Sequence, residues 1–451
     1  MNIKTIHKVY FIGAGGIGMS ALAKYMLHLG KEVAGYDRTP TLITLALSDL
    51  GMYIQFADNL SLIPEKYIEK DTLIVFTPAI KKEENQILNY FLTNDFKVIK
   101  RAELLAKITQ NTISLAVAGT HGKTSTSSLL GHILKENKIS ATSFLGGISE
   151  NYNSNLILGG DTYSVVEADE FDRSFLQLNP HYACITSVDA DHLDVYKKEG
   201  NLVEAFKEFA ALTKKELFIK KGIPIKGTTY GIDENADYNA TNLRIENGKY
   251  IFDVTTPKEV YKNIIINQPG KYNVLNTMAA LAMANSIGVS LQNIAKALLS
   301  YKGVQRRFSY RIQTDSLVLI DDYAHHPTEI NVIHQTIREL YPNKEVLVIF
   351  QPHLYSRTRD FQEDFIKSLS QFNHVLLLPI YPAREKPIKG VSSKILVDEI
   401  KKINKKVSLV NPDELVSKIK ETKSKLVLMI GAGDIGEMIN NVQRDLNQIS
   451  I

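Results

Sequence analysis

The segment with the most specific chemistry is Gly119-Thr120-His121-Gly122-Lys123-Thr124. It follows an apolar run, Ile113–Ala118, and leads into a helical pattern from Ser125 to Leu134. A G-x-x-G-K-T turn between a strand and a helix aims backbone N–H groups and a helix N-terminus at phosphate oxygens. Lys123 is then placed to bridge the β- and γ-phosphates of a nucleoside triphosphate, and the Thr124 hydroxyl to ligate Mg2+. The long form of this pattern has a further glycine where this chain has Val117; the short form is present here.

Three other clusters sit at the carboxyl ends of apolar runs, where ligands meet α/β sheets. YSVVEAD delivers Glu167 and Asp169, followed by Glu170, and YACITSVD delivers Asp189, followed by Asp191 and His192. Such carboxylates suit Mg2+, directly or through water. Mg2+ prefers oxygen, so His192 reads as a water-mediated ligand or a substrate contact. Near the N-terminus, Gly13-Ala14-Gly15-Gly16-Ile17-Gly18 lies between a strand and a helix, with Asp37 at the end of the next strand. That pattern accepts a diphosphate on backbone N–H groups and a ribose hydroxyl on the acid. NAD and a UDP-sugar both carry these parts, and the pattern does not choose between them. The last cluster joins Asp321-Asp322-Tyr323-Ala324-His325-His326 to Gln351-Pro352-His353-Leu354-Tyr355-Ser356-Arg357. Histidines, a tyrosine and an arginine at neighbouring strand ends suit a carboxylate or an amine. Arg306 and Arg307 stand in a linker, YKGVQRRF, from which they could reach nucleotide phosphates.

Positioning these residues takes three α/β blocks. Residues 1–110 alternate short apolar strands with helical patterns, as a Rossmann-like domain does. Residues 111–307 form a central P-loop ATPase-type domain, in which 222–270 read as antiparallel strands. Residues 308–451 form a C-terminal Rossmann-like domain of fully buried strands. The length of 451 residues fits three domains at roughly 150 each. Lys plus Arg is 53 against 49 for Asp plus Glu, a net charge of +4 that is too small to announce nucleic acid or anionic lipid. The single cysteine, Cys184, excludes an intramolecular disulfide and a cysteine-based zinc site and fits a reducing compartment. The N-terminal segment is too charged for a signal peptide, and no apolar run is long enough to span a bilayer. A cytoplasmic protein is expected, monomeric or homodimeric, with no nucleic-acid or membrane partner.

Four segments, GAGGIGMS, AGTHGKTST, VEADEFDRSFL with DADHLDVY, and DDYAHHPTEI with FQPHLYSRTRDF, resemble the Mur ligases in this order over essentially the whole chain. That family joins amino acids to peptidoglycan precursors with ATP. The resemblance implies that Gly15, Gly16 and Ile17 hold the diphosphate of a UDP-sugar, with Asp37 nearby. It implies ATP on the turn and first helical residues Gly119, Thr120, His121, Gly122, Lys123, Thr124 and Ser125, with Mg2+ on Thr124, Glu167 and His192. Asn273 then meets adenine, Arg306 the nucleotide, and Tyr323 and Arg357 the amino acid. Lys123, His192, His325 and Arg357 are the implied catalytic residues, with His192 and His325 both candidates for the base. The implied reaction joins L-alanine to the lactyl carboxylate of UDP-N-acetylmuramate through an acyl phosphate; a preassembled tripeptide is the alternative second substrate. Two positions depart from the family pattern, Tyr272 where histidine is usual and Leu354 where arginine is usual. An NAD-dependent oxidoreductase would leave the G-x-x-G-K-T turn without a purpose, and a regulator without chemistry would leave the acids and histidines without one.

Overall fold

The computed structural model describes residues 3–189, 199–383 and 385–447. They form two compact units, one from residues up to 244 with 251–266 and 274–302, the other from 245–250, 267–273 and 303 onward.

The first unit holds two sheets. Strands β1 (Lys8–Ile12), β2 (Glu32–Tyr36), β3 (Tyr53–Gln55), β4 (Leu73–Phe76) and β5 (Lys97–Lys100) pair in the order β3-β2-β1-β4-β5. All four pairings are parallel, as expected when helices connect successive strands. The second sheet continues with β6 (Ile113–Ala118), β7 (Ala141–Ser149), β8 (Ser154–Ile157), β9 (Tyr163–Glu167), β10 (Tyr182–Ile185), β11 (Glu216–Lys220), β12 (Thr228–Ile232), β13 (Tyr238–Glu246), β14 (Lys249–Thr255) and β15 (Val260–Ile266). Its order is β15-β14-β13-β12-β11-β10-β6-β9-β7-β8. The antiparallel expectation for 222–270 needs correction at its start: β11–β12 and β12–β13 are parallel. Their connections carry no helix, so the sequence mimics hairpins. Only at Asn247-Gly248 does a two-residue turn with both φ positive, 52° and 74°, supply hairpin chemistry.

The helix Ile17–His28 buries Met19, Ala21, Leu22, Ala23 and Met26, and it also packs on β7 and β8 of the second sheet. Tyr25 meets Phe144 edge-on at 5.2 Å. Beneath it, fully buried Asn155 donates to Ile17 O at 2.6 Å and Ser20 Oγ at 2.8 Å and accepts from Lys24 Nζ at 2.9 Å. This clamp fixes the helix that starts at the first glycine loop onto the sheet that carries the second, which is why the first two sheets share one unit.

The second unit carries β16 (Ser309–Gln313), β17 (Val318–Asp322), β18 (Val346–Phe350), β19 (His374–Leu377), β20 (Val407–Leu409) and β21 (Leu426–Ile430), ordered β16-β17-β21-β18-β19-β20. Only β16–β17 is antiparallel. Every residue of β17, β18 and β21 is buried, as in a sheet covered on both faces. Gly303, at φ 102°, opens this unit ahead of the boundary read at 308. Among the described residues no helix is long and apolar enough to cross a membrane.

Replacing Asn155 by Ala removes three hydrogen bonds between β8 and the helix Ile17–His28, so Asn155→Ala is expected to lower unfolding free energy by about 1–3 kcal/mol, read from urea midpoints. An unchanged midpoint removes the clamp from the account.

Candidate active site

In the second sheet the order β10-β6-β9 sets three strand ends side by side. The turn after β6 lies between the acids after β9 and the polar residues after β10. Gly119, at φ 130°, sits so close to β10 that a Cβ would lie 2.2 Å from Thr186 Oγ1 and 2.8 Å from Ser187 N. At Gly122, φ 83°, a Cβ would lie 2.5 Å from Asn276 Oδ1. Only glycine meets both demands. Ser187 fixes the turn: its Oγ accepts from His121 N at 2.8 Å and bonds Thr120 Oγ1 at 2.8 Å, and its carbonyl accepts from Thr120 N at 3.2 Å. Asp189 N donates to Thr120 Oγ1 at 3.1 Å, and its carboxylate lies 3.8 Å from His121 Nε2.

Lys123 Nζ donates to Gly119 O at 2.5 Å and to Glu170 at 2.9 Å. Its side chain is 14% exposed and that of Glu170 is 0% exposed. Burial disfavours the ammonium, but Glu170, Glu167 and Asp169 outweigh it and hold the lysine above its ordinary range. Thr124 Oγ1 donates to both Glu167 oxygens, at 3.0 and 3.1 Å, and Glu167 also accepts from Gly146 N at 2.9 Å. Cation and hydroxyl are thus each matched with a carboxylate. Among the described residues no group of three or more His, Cys, Asp or Glu could hold a metal alone. A hydroxyl and a carboxylate suit a hard cation that takes its remaining ligands from phosphate and water. Asp191 and His192, expected here from the sequence, lie outside the described residues.

The first glycine loop is held from β2. Gly13 N and Ala14 N donate to Tyr36 O at 2.8 and 3.0 Å, and Gly16 N to Gly13 O at 3.3 Å. Asp37, which the sequence assigns to a ribose hydroxyl, accepts from Gly15 N at 2.7 Å and Thr39 N at 3.1 Å. Its carboxylate therefore shapes the turn. Gly16 is the N-cap of the helix that starts at Ile17, and no side chain caps the helix's first amides, which have no intrahelical acceptor.

Arg101, which the sequence reading passed over, touches both loops. Its Nη2 donates to Asp169 Oδ2 at 3.0 Å, and a Cβ on Gly18 would lie 2.2 Å from its Nη1. Its only sequence signal is its place directly after β5, at the carboxyl edge of the first sheet. Ser187, Gly146 and Asn276 were missed as well; each acts across a long sequence separation and none belongs to a motif.

In the second unit, Arg306 and Arg307 lie over the Tyr323 ring, with guanidinium carbons 5.1 and 5.2 Å from its centroid. Arg306 also lies 3.5 Å from Asp321 and donates to Gly431 O. Asp322 accepts from Phe308 N at 2.6 Å and Ala324 N at 2.7 Å, and burial pushes its carboxyl up to about 6. Tyr272 belongs to this unit, where burial and Asp322 raise its hydroxyl well above the usual range. Asn273 Nδ2 donates to Pro269 O at 2.7 Å. His325 Nδ1 bonds Tyr323 O at 2.9 Å; a carbonyl only accepts, so Nδ1 carries the proton and Nε2 the lone pair. Burial lowers His325, with Arg357 and Arg307 acting the same way and Glu329 opposing. His353 stacks on Tyr381 at 5.7 Å, and its Nδ1 lies 3.4 Å from Arg357 Nη1. Burial, His325 and Arg357 hold it down at about 4. Glu385 anchors the Arg357 helix by accepting from Ser356 N at 2.9 Å. His326 is structural, capping the helix Pro327–Leu340 and meeting Phe361 at 4.6 Å.

Three family models match: "Mur ligase family, catalytic domain" over residues 8–112, "Mur ligase middle domain" over 117–284, and "Mur ligase, glutamate ligase domain" over 306–433. The UDP-N-acetylmuramate–L-alanine ligase of Flavobacterium psychrophilum is 55% identical over 99% of this chain and 100% of its own length. That of Parabacteroides distasonis is 44% identical over 99% and 98%. Among solved structures, the UDP-N-acetylmuramate–alanine ligase of Thermotoga maritima superposes with a TM-score of 0.83 at 28% identity, covering 98% of this chain and 99% of that one. A murein peptide ligase from Psychrobacter arcticus shares the fold, with a TM-score of 0.69 at 21% identity over 98% of each chain. With both glycine turns in place and matches running along nearly its whole length, the chain belongs to the Mur ligase family.

Proposed function

We propose that this chain is an ATP-dependent ligase of peptidoglycan precursor synthesis that joins L-alanine to the lactyl carboxylate of UDP-N-acetylmuramate through an acyl phosphate. The observation that carries the chemistry is the G-x-x-G-K-T turn with Lys123 and Thr124 each facing a buried-edge carboxylate. The substrate pair follows from full-length relatives at 40–55% identity, all L-alanine ligases. None of them is a tripeptide ligase, which leaves that alternative without support.

The lactyl carboxylate oxygen attacks the γ-phosphorus and ADP leaves. Lys123 spreads the charge that moves onto the transferring group and the leaving oxygen. Thr124 and Glu167, with His192, would hold Mg2+, which supplies charge neutralisation for the phosphates. The first turn of the helix Ile17–His28 seats the UDP diphosphate, with Gly15, Gly16 and Asp37 shaping the turn. In the second half-reaction the L-alanine nitrogen attacks the acyl carbon, phosphate departs, and the amine proton passes to a base. His325 Nε2 fits that role, because its lone pair is open and the imidazole stays neutral. Arg357 and Tyr323 hold the amino acid, and Arg306 and Asn273 the nucleotide. The buried lone thiol of Cys184, pushed up to about 12 by burial, suits a reducing, cytoplasmic setting.

Lys123→Ala is expected to keep UDP-N-acetylmuramate binding by calorimetry while losing at least about a thousandfold in ATP-dependent product formation. Near-normal turnover would refute the assignment of Lys123. The base must be neutral to act, so activity is lost as pH falls through its pKa. With His325 held below the ordinary histidine value of about 6.5, the acid limb of kcat is expected below that pH. His325→Gln should cost about a hundredfold and abolish that limb; a variant with both intact would place the base elsewhere.

A further inference from the structure

Arg101 is the first residue of the helix Arg101–Thr109, directly after β5. In the order β3-β2-β1-β4-β5 this places it at the same carboxyl edge as the Gly13–Gly18 loop. Its guanidinium fills the space against Gly18, where a Cβ would lie 2.2 Å from Nη1 and 3.2 Å from both Cδ and Cζ. The last glycine of such a motif ordinarily serves close helix–strand packing; here the absent side chain makes room for a permanent cation beside the helix's open amides.

An ion pair with Asp169 accounts for only half of this. The two side chains are 28% and 36% exposed, and a pair so placed adds little stability. The join between the two sheets is already made by the buried Asn155 clamp. Asp169 itself lies in sequence between Glu167 and Glu170, which hold Thr124 and Lys123, so the arginine links Gly18 of the first loop to the acids that face the second. A guanidinium can turn one edge to a carboxylate and present another to a phosphate.

We propose that Arg101 is a UDP-sugar-binding residue, which donates from its Gly18 side to the nucleoside diphosphate seated on the Ile17–Gly18 turn while Asp169 keeps its plane aligned. The proposal rests on the reading of that turn as the diphosphate seat. It adds a side-chain charge to a site otherwise made of backbone, and it predicts an asymmetry that a structural ion pair does not have. Removing the arginine removes a phosphate ligand. Neutralising Asp169 leaves the arginine in place, with an amide oxygen still able to accept from it.

The test is calorimetric titration of UDP-N-acetylmuramate into the full chain and into Arg101→Gln, Arg101→Lys and Asp169→Asn, with melting temperatures and the affinity for an ATP analogue measured alongside. Arg101→Gln should weaken the UDP-sugar about ten- to hundredfold, Arg101→Lys should recover part of that loss, and Asp169→Asn should stay within about threefold of the parent. The ATP analogue should bind the parent, Arg101→Gln and Arg101→Lys alike. Gly18→Ala, which displaces the guanidinium without deleting it, should match Arg101→Gln if the latter folds poorly. Equal losses in Arg101→Gln and Asp169→Asn, or no loss in either, would overturn the proposal and leave a structural pair. Failure of the parent chain to bind the UDP-sugar would instead overturn the functional reading on which it rests.

Discussion

The chemistry of the first unit depends on a lysine and a glutamate taken almost out of water together. Lys123 and Glu170 are paired at 2.9 Å, with the glutamate fully buried. A charge in that position persists only if it is matched, because desolvation of either group alone costs several kcal/mol. The carboxylate therefore keeps the lysine charged and aimed along the turn. On the proposed reading, a triphosphate would compete with Glu170 and with Gly119 O for the same ammonium, which already carries the charge such a ligand needs. Thr124 and Glu167 repeat the device with a hydroxyl. Two carboxylates occupy the groups that phosphate and metal would otherwise engage, and the turn needs little reorganisation to exchange them.

That pairing is a product of strand order. β6 lies between β9 and β10, with Val117 in register with Glu167 and Ala118 with Ile185. Residues after β6 must then run between acids on one flank and Thr186 and Ser187 on the other. The left-handed glycines follow from the same crowding, since any Cβ at Gly119 or Gly122 would enter Thr186 or Asn276. The clamp on Asn155 carries this rigidity to the helix behind the first glycine loop. Two glycine turns separated by roughly a hundred residues in sequence are thus held by one unit, which the proposed transfer of a phosphoryl group onto a tethered acid would require.

The glycine turns, the strands that feed them and the helices that follow were legible because each is a local pattern with a local cause. Strands β6 and β18 are uninterrupted apolar runs, and the helix from Pro327 carries its own N-cap in His326 and its own Pro at the first position. Contacts were not legible where their cause lies elsewhere in the chain. Asp37 stands where a ribose-binding acid stands, and what the motif does not show is that its carboxylate also accepts from the Gly15 amide. Arg101 looks like any helix-opening arginine until Gly18 is seen to make room for it. The pairings of β12 were misread in direction because short connections suggest hairpins, and only pairing partners decide between parallel and antiparallel.

On the proposed reading, the second unit meets a different electrostatic problem, that of making an amine nucleophilic. Amino acids arrive with a charged ammonium, which cannot attack a carbonyl until it loses a proton. The guanidinium groups of Arg306 and Arg307 stand on the Tyr323 ring, and that of Arg357 stands beside His353. In that field a second positive charge is disfavoured, which is why Arg357 joins burial in lowering both His325 and His353. On the proposed reading, the same guanidinium groups would attract the carboxylate of an amino acid and disfavour its ammonium. On that reading, an imidazole kept neutral and an ammonium disfavoured follow from one arrangement of guanidinium groups, and both would favour proton transfer from the amine to the imidazole, the direction that amide formation needs.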